Sequence, residues 1–134
     1  MSIKNIIDGS YDVNAPIDVE ELDISLLIYG GTMWSPVRLT FSKVGKICTL
    51  IINYFSISST SPIMTITVDN ESILPFMPVE SFTKDFLFMF DGNQVWGTMK
   101  FDTSLKQIQL IYPTNPIFAP ITPLNAEGIN YITN

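Results

Sequence analysis

The chain has 134 residues, 46% of them hydrophobic and only 15% charged, with a formal net charge of −6, one cysteine and no histidine. That length fits one domain with a real but small core, and the surface is poorer in charge than that of most small monomers. Without His, the commonest general base, the Ser-His-Asp arrangement and most zinc sites drop out; one Cys excludes an internal disulfide; no Lys/Arg cluster is present to neutralise a nucleic-acid backbone.

The acid is concentrated at the start. Residues 1–24 hold Asp8, Asp12, Asp18, Glu20, Glu21 and Asp23 against Lys4 alone, and the remainder is nearly balanced. This reads as a solvated arm, or as a docking segment for a basic partner. Pro16 and Val19-Glu20-Glu21-Leu22 leave room for one or two helical turns, in a pattern too short and mixed to insist on. No basic n-region with an apolar h-region is visible, so no signal peptide is expected. The chain divides into an acidic N-terminal segment, residues 1–31, and a β domain, residues 32–134.

Gly30-Gly31 is a turn signal, and from there the chain reads as strands divided by turns. Residues 37–43 alternate, with Val37, Leu39 and Phe41 on one side and Arg38, Thr40 and Ser42 on the other, as in a strand with one wet face. Val44-Gly45-Lys46 interrupts this as a bend, and residues 47–55 form the next strand. Its first part, Ile47-Cys48-Thr49-Leu50-Ile51-Ile52, is apolar on both faces and needs two covers, the second available from another subunit. Cys48 within it reads as a buried, inert thiol. Residues 56–62 are a polar loop. Residues 63–68 alternate again, with Met64, Ile66 and Val68 opposite Thr65 and Thr67, before a turn at Asp69-Asn70-Glu71. Leu74-Pro75-Phe76-Met77-Pro78 is expected to be an extended linker, because its prolines remove ladder donors.

Residues 86–90, FLFMF, form a continuous apolar run and read as a buried strand, closed by a hairpin turn at Asp91-Gly92-Asn93-Gln94. Residues 95–102 place Val95, Gly97, Met99 and Phe101 opposite Trp96, Thr98, Lys100 and Asp102. Residues 106–112 follow, with Ile108, Leu110 and Tyr112 on one face. Residues 107–126 carry no charge, and Pro113, Pro116, Pro120 and Pro123 make the later part loop-like. A charge-free proline-rich loop is more comfortable against a neighbour than in water. Residues 129–133 close with one more strand. No apolar run reaches about 18 residues, so no transmembrane helix is expected, and the apolar composition points to an oligomer. Many short strands with Gly, Pro and Asn turns mean an all-β sandwich or barrel.

Chemistry-bearing patterns are few. Glu20/Glu21 and Asp69/Glu71 are the closest carboxylate pairs, both in polar segments that read as solvated surface. Asp69-Asn70-Glu71 is better explained as a turn than as a calcium loop. No metal site, cofactor motif or catalytic residue is assigned. The aromatics are more informative. Trp34 precedes Ser35-Pro36 in what reads as a loop. Trp96 is either an exposed indole on a wet face, fit to stack on a sugar or anchor an interface, or packed under a loop or between subunits.

The order Phe41-Ser42-Lys43-Val44-Gly45-Lys46-Ile47-Cys48-Thr49-Leu50, then Leu74-Pro75 with Pro78, then Gly97-Thr98-Met99-Lys100-Phe101, Ile108–Ile111 and Gly128-Ile129-Asn130-Tyr131-Ile132, resembles the globular head domains of viral fibres and phage receptor-binding proteins. The resemblance spans residues 32–134 and rests on order and spacing. It implies a trimeric, jelly-roll-like antiparallel β-sandwich, related in architecture to complement-type and tumour-necrosis-factor-type heads. Such heads bind host glycans or proteins and carry no catalysis. Fibre heads usually follow a long shaft, and the short stretch before residue 32 departs from that pattern.

The resulting expectation is a non-enzymatic virion-surface protein, a homotrimer that attaches to a host-surface glycan or protein. Trp34, Trp96 and Tyr112 are the candidate contact residues, and Ile47, Leu50, Ile52, Ile117 and Phe118 the candidate oligomer interface. Two alternatives stay open. One is a capsid decoration or assembly module that meets another virion protein and has no ligand pocket. The other is a carbohydrate-active enzyme, which would need facing acids among Asp69, Glu71 and Asp85.

Overall fold

In the computed structural model the described residues are 19–114, 120–124 and 128–134. They form strands β1 (Val19–Gly30), β2 (Met33–Val44), β3 (Ile47–Ile52), β4 (Ile63–Thr67), β5 (Phe82–Phe90), β6 (Asn93–Asp102), β7 (Gln107–Ile111), β8 (Ile121–Pro123) and β9 (Gly128–Ile132). All nine belong to one antiparallel sheet in the order β8-β5-β6-β7-β4-β1-β2-β3-β9. The all-β antiparallel architecture expected from the sequence is therefore present.

Three tight hairpins set the register. β1 and β2 turn at Gly31-Thr32, β2 and β3 at Gly45-Lys46, and β5 and β6 at Asp91-Gly92. Gly31 and Gly45 have φ of 63°, the positive value that the first turn position of a II′ hairpin requires, while Asp91 and Gly92 are both positive, as in a I′ turn. Gly45 thus reverses the chain completely; the bend expected there is a hairpin.

The alternation in residues 37–43 holds. Val37, Leu39 and Phe41 are buried, and across the hairpin Cys48, Leu50 and Ile52 are buried on the same inner face. Three expectations are corrected. Residues 19–30 are neither helical nor an arm: they form β1, paired with β2 from Val19↔Val44 to Gly30↔Met33. The period is two. Leu22, Ile24, Leu26 and Ile28 face inward, and Glu21, Asp23, Ser25, Leu27 and Tyr29 face outward. The charges on the outer face hid that alternation, and the division at residue 31/32 falls inside the longest hairpin. Second, the linker at 74–78 contains a 3-10 turn, Leu74–Phe76. Proline's fixed φ suits the first helical positions, and Phe76 anchors the turn by packing on Phe41 with ring centroids 5.4 Å apart. Third, the strand expected at 86–90 starts at Phe82, and β8 lies within the proline-rich stretch read as loop, as a short edge strand where proline is tolerated.

The sheet curls on itself, so that β5 and β6 face β9 across one core. Tyr131 of β9 lies 5.4 Å from Phe82 and 5.6 Å from Phe101, centroid to centroid. Its hydroxyl donates to the Phe76 carbonyl at 2.7 Å inside the core. Burial first, and the neighbouring Cys48 second, push the Tyr131 phenol well above its usual range. Burial likewise raises the Cys48 thiol, consistent with an inert residue.

Two predictions follow from these contacts. Tyr131→Phe leaves the buried Phe76 carbonyl without its donor and lowers stability by ~1–3 kcal/mol, read as a lower urea midpoint at unchanged slope. At the end of β6, the Asp102 carboxylate accepts the Leu105 N–H at 2.9 Å and lies 3.4 Å from the Lys100 ammonium. The backbone donor foremost, then Lys100, holds Asp102 below the usual carboxylate range. A pKa depressed on folding adds stability above the unfolded value of about 3.9 and loses it as pH falls through the folded value. Asp102→Asn therefore flattens the acid limb of Tm against pH below about pH 4; an unchanged acid limb would contradict this linkage.

Candidate functional site

A curled sheet has two edges to reconcile. Here they are stitched at both ends of the seam. At one end Ile57 and Ile121 exchange N–H···O bonds of 3.1 and 2.8 Å. At the other, Pro78 bridges Thr133 and the Val79 N–H donates to the Ile132 carbonyl at 3.0 Å. Between these stitches β5 and β9 are not neighbours in the sheet. The seam there opens into a groove of about 360 Å³, lined by Ile52, Lys84, Asp85, Phe86, Leu87, Trp96, Gly128 and Ile129.

Each wall has a clear origin. Phe82, Lys84, Phe86, Phe88 and Phe90 share the core side of β5, so Lys84 is a charged residue at a core-side position. It escapes burial because, among the described residues, β5 has no partner strand on that edge before Phe88, where β8 begins to pair. Thr83, Asp85 and Leu87 project from the other side of β5, and both sides reach the groove because it opens at the strand's edge. Leu87 is paired with Trp96 on β6, so the indole stands beside the rim on a cross-strand neighbour. Ile52 and Ile129, on the inner faces of β3 and β9, supply the apolar floor. The described residues of the site therefore combine an apolar base, an open aromatic face, one cation and one anion.

Of the residues expected to make contacts, Trp96 is 63% exposed and on this groove. Trp34 is 61% exposed, but it lies in β2 rather than in a loop, opposite Tyr29 on the outer face. Three strands separate β2 from β6 in the sheet, roughly 19 Å along it at the usual strand spacing, so the two indoles do not share a site. Tyr112 is not a surface residue: it is buried, with Phe88 and Phe90 each 5.5 Å from its ring. The alternation that placed it with Ile108 and Leu110 put it on the core side.

The candidate interface residues also separate. Leu50 and Ile52 belong to the core, because a period of two turns them inward with Cys48. Ile47 is different. It belongs to one register row, Val19↔Val44↔Ile47↔Ile132, that crosses β1, β2, β3 and β9 on the outer face. All four are 46–57% exposed. Ile117 and Phe118 lie outside the described residues.

Lys84 escaped sequence reading although it left a signal. In Phe82-Thr83-Lys84-Asp85-Phe86-Leu87-Phe88 an apolar alternation is broken by a lysine on the apolar side, a device typical of an unpaired strand edge. Gly128 and Ile129 carry no comparable mark.

No family model matches the sequence, and no curated protein matches it. The fold is similar to that of solved viral fibre structures. One is the C-terminal receptor-binding domain of the avian reovirus fibre sigmaC, with a TM-score of 0.61 at 10% identity over 97% of this chain and 95% of that one. A second avian reovirus sigmaC structure gives a TM-score of 0.58 at 10% identity, over 97% of this chain and 77% of that one. The likeness is one of fold, and it agrees with the fibre-head resemblance read from the order of sequence features.

The openness of the groove indole is directly measurable. With Trp34 replaced by Phe, Trp96 is the only tryptophan, and acrylamide quenches its native emission almost as fully as in the unfolded chain. Blue-shifted emission resistant to the quencher would contradict the placement of Trp96 on the rim.

Proposed function

We propose that this chain is a non-enzymatic attachment head of viral type. It is displayed on the virion surface as a homotrimer and recognises a host-surface glycan or protein. The observation that carries the reading is the fold likeness over nearly all of this chain and of a fibre domain described as receptor-binding. The seam groove and its exposed Trp96 supply a contact surface on a rigid scaffold.

The placement of the acids supports binding over glycoside hydrolysis. Asp69 is 66% exposed and pairs with Lys106 at 3.4 Å, Glu71 is exposed in a turn, and among the described residues that line the groove Asp85 is the only carboxylate. Hydrolysis of a glycosidic bond normally needs two carboxylates facing each other across about 5–9.5 Å.

The outer row of Val19, Val44, Ile47 and Ile132 supports self-association, since four half-exposed aliphatic side chains on adjacent strands form one apolar stripe. The same stripe suits a contact with another virion protein, which is the decoration reading.

Light scattering on the purified protein at micromolar concentration is expected to give three times the 15.0 kDa chain mass. Ile47→Asp is expected to release monomers that unfold at nearly the same temperature. Fluorescently labelled protein is expected to bind a panel of cultured cells saturably and to be displaced by unlabelled protein. A trimer that binds no cell but binds a capsid protein tightly would favour decoration instead.

A further inference from the structure

We propose that the seam groove binds a neutral N-acetylated hexose at the end of a glycan chain, with Trp96 as its stacking platform. This rests on the attachment reading and names the ligand class that reading leaves open.

Four features of the groove converge on that chemistry. Its volume, about 360 Å³, lies near the lower end of the ~300–1,000 Å³ typical of small-ligand sites. Trp96 offers an open indole on the rim, and the flat C–H face of a pyranose stacks on such a surface. Asp85 accepts hydroxyl or amide hydrogens and Lys84 donates to hydroxyl or carbonyl oxygens, so both kinds of hydrogen-bonding partner line the same groove as the indole. The floor of Ile52, Phe86 and Ile129 is apolar and suits a methyl group. A hexose satisfies the first three features. The acetamido group adds a methyl for the floor and an amide for the charged pair.

The charges argue for a neutral sugar. Among the described lining residues the charges are those of Lys84 and Asp85, which are adjacent in sequence and sum to zero, so an anionic sugar would gain no net attraction from the pair. They also argue against an added peptide strand. Lys84, on the core side of the β5 edge, stands where an incoming strand would pair, which is how natural edges discourage strand addition.

The test is saturation-transfer NMR on the intact protein with the methyl glycosides of N-acetylglucosamine, N-acetylgalactosamine, glucose, galactose and N-acetylneuraminic acid. Labelled-cell binding is measured in parallel. At least one N-acetylhexosamine is expected to bind saturably and more tightly than the unacetylated hexoses and the sialoside. Trp96→Ala is expected to weaken it by about tenfold or more, as loss of an interface anchor does. Asp85→Asn should weaken it less. Leu105→Ala, at an exposed turn outside the groove, should leave it unchanged, and the melting temperature of each variant checks that the fold survives. Absence of N-acetylhexosamine binding with cell attachment intact overturns the groove assignment and leaves the attachment reading standing. Sugar binding without cell attachment upholds the groove assignment and removes the attachment reading. Preference for the sialoside or for an unacetylated hexose, or binding indifferent to Trp96→Ala, overturns the proposal.

Discussion

The rest of this structure depends on how one sheet meets its own edges. Nine antiparallel strands twisted in the normal sense cannot stay flat, and here they curl until the two ends of the strand order approach each other. The inner faces become the core, and the edges become the seam. Closure is partial. Backbone bonds tie Ile57 to Ile121 at one end and Val79 to Ile132 at the other. Among the described residues, the length between carries no backbone pairing between β5 and β9. The groove is what remains of an edge the fold did not zip.

The core explains why the curl is stable in so short a chain. Aromatic rings bridge the two halves: Tyr131 touches Phe82 and Phe101, Phe76 covers Phe41, and Tyr112 sits under Phe88 and Phe90. Burying each such side chain is worth roughly 1.5–3 kcal/mol. The Tyr131 hydroxyl costs little there because it reaches the Phe76 carbonyl. One glycine is required by this arrangement. A Cβ on Gly97 would collide with the Ile111 carbonyl oxygen and with the Phe88 ring, so β6 carries glycine where the phenylalanine crosses it.

The outer surface is organised in rows rather than at random. On β1, β2, β3 and β9, the aliphatic row through Ile47 gives way to a polar row in which the Thr49 hydroxyl donates to the Asn130 side chain at 2.7 Å, then to one in which Thr40 donates to Asp23 at 2.7 Å. Leu27 and Pro36, then Tyr29 and Trp34, end the hairpin as apolar pairs. On β4, β7 and β6 the outward pairs are mostly threonines, glutamines and Lys100, with Ile63 and Ile111 as an aliphatic pair at one end. Aliphatic and polar side chains are thus grouped into rows across adjacent strands of one curled sheet.

Local periodicity determined much of this from the sequence alone. Val37, Leu39 and Phe41 had to share a face because strand side chains alternate, and Gly45 and Asp91-Gly92 had to turn because positive φ is tolerated there. The lack of His and the lone Cys48 narrowed the chemistry before any fold was known. The alternation of residues 19–30 was equally present but masked, because Glu21 and Asp23 on its wet face resemble a solvated arm. What no local pattern decides is which edge stays open. Leu50 and Ile52 became core while Ile47 stayed outside, Tyr112 went under Phe88, and Lys84, Trp96 and Ile129 met around one groove only when residues far apart in the chain were brought together by curl and register. Alternation assigns a side chain to a face; only the tertiary structure decides what that face meets.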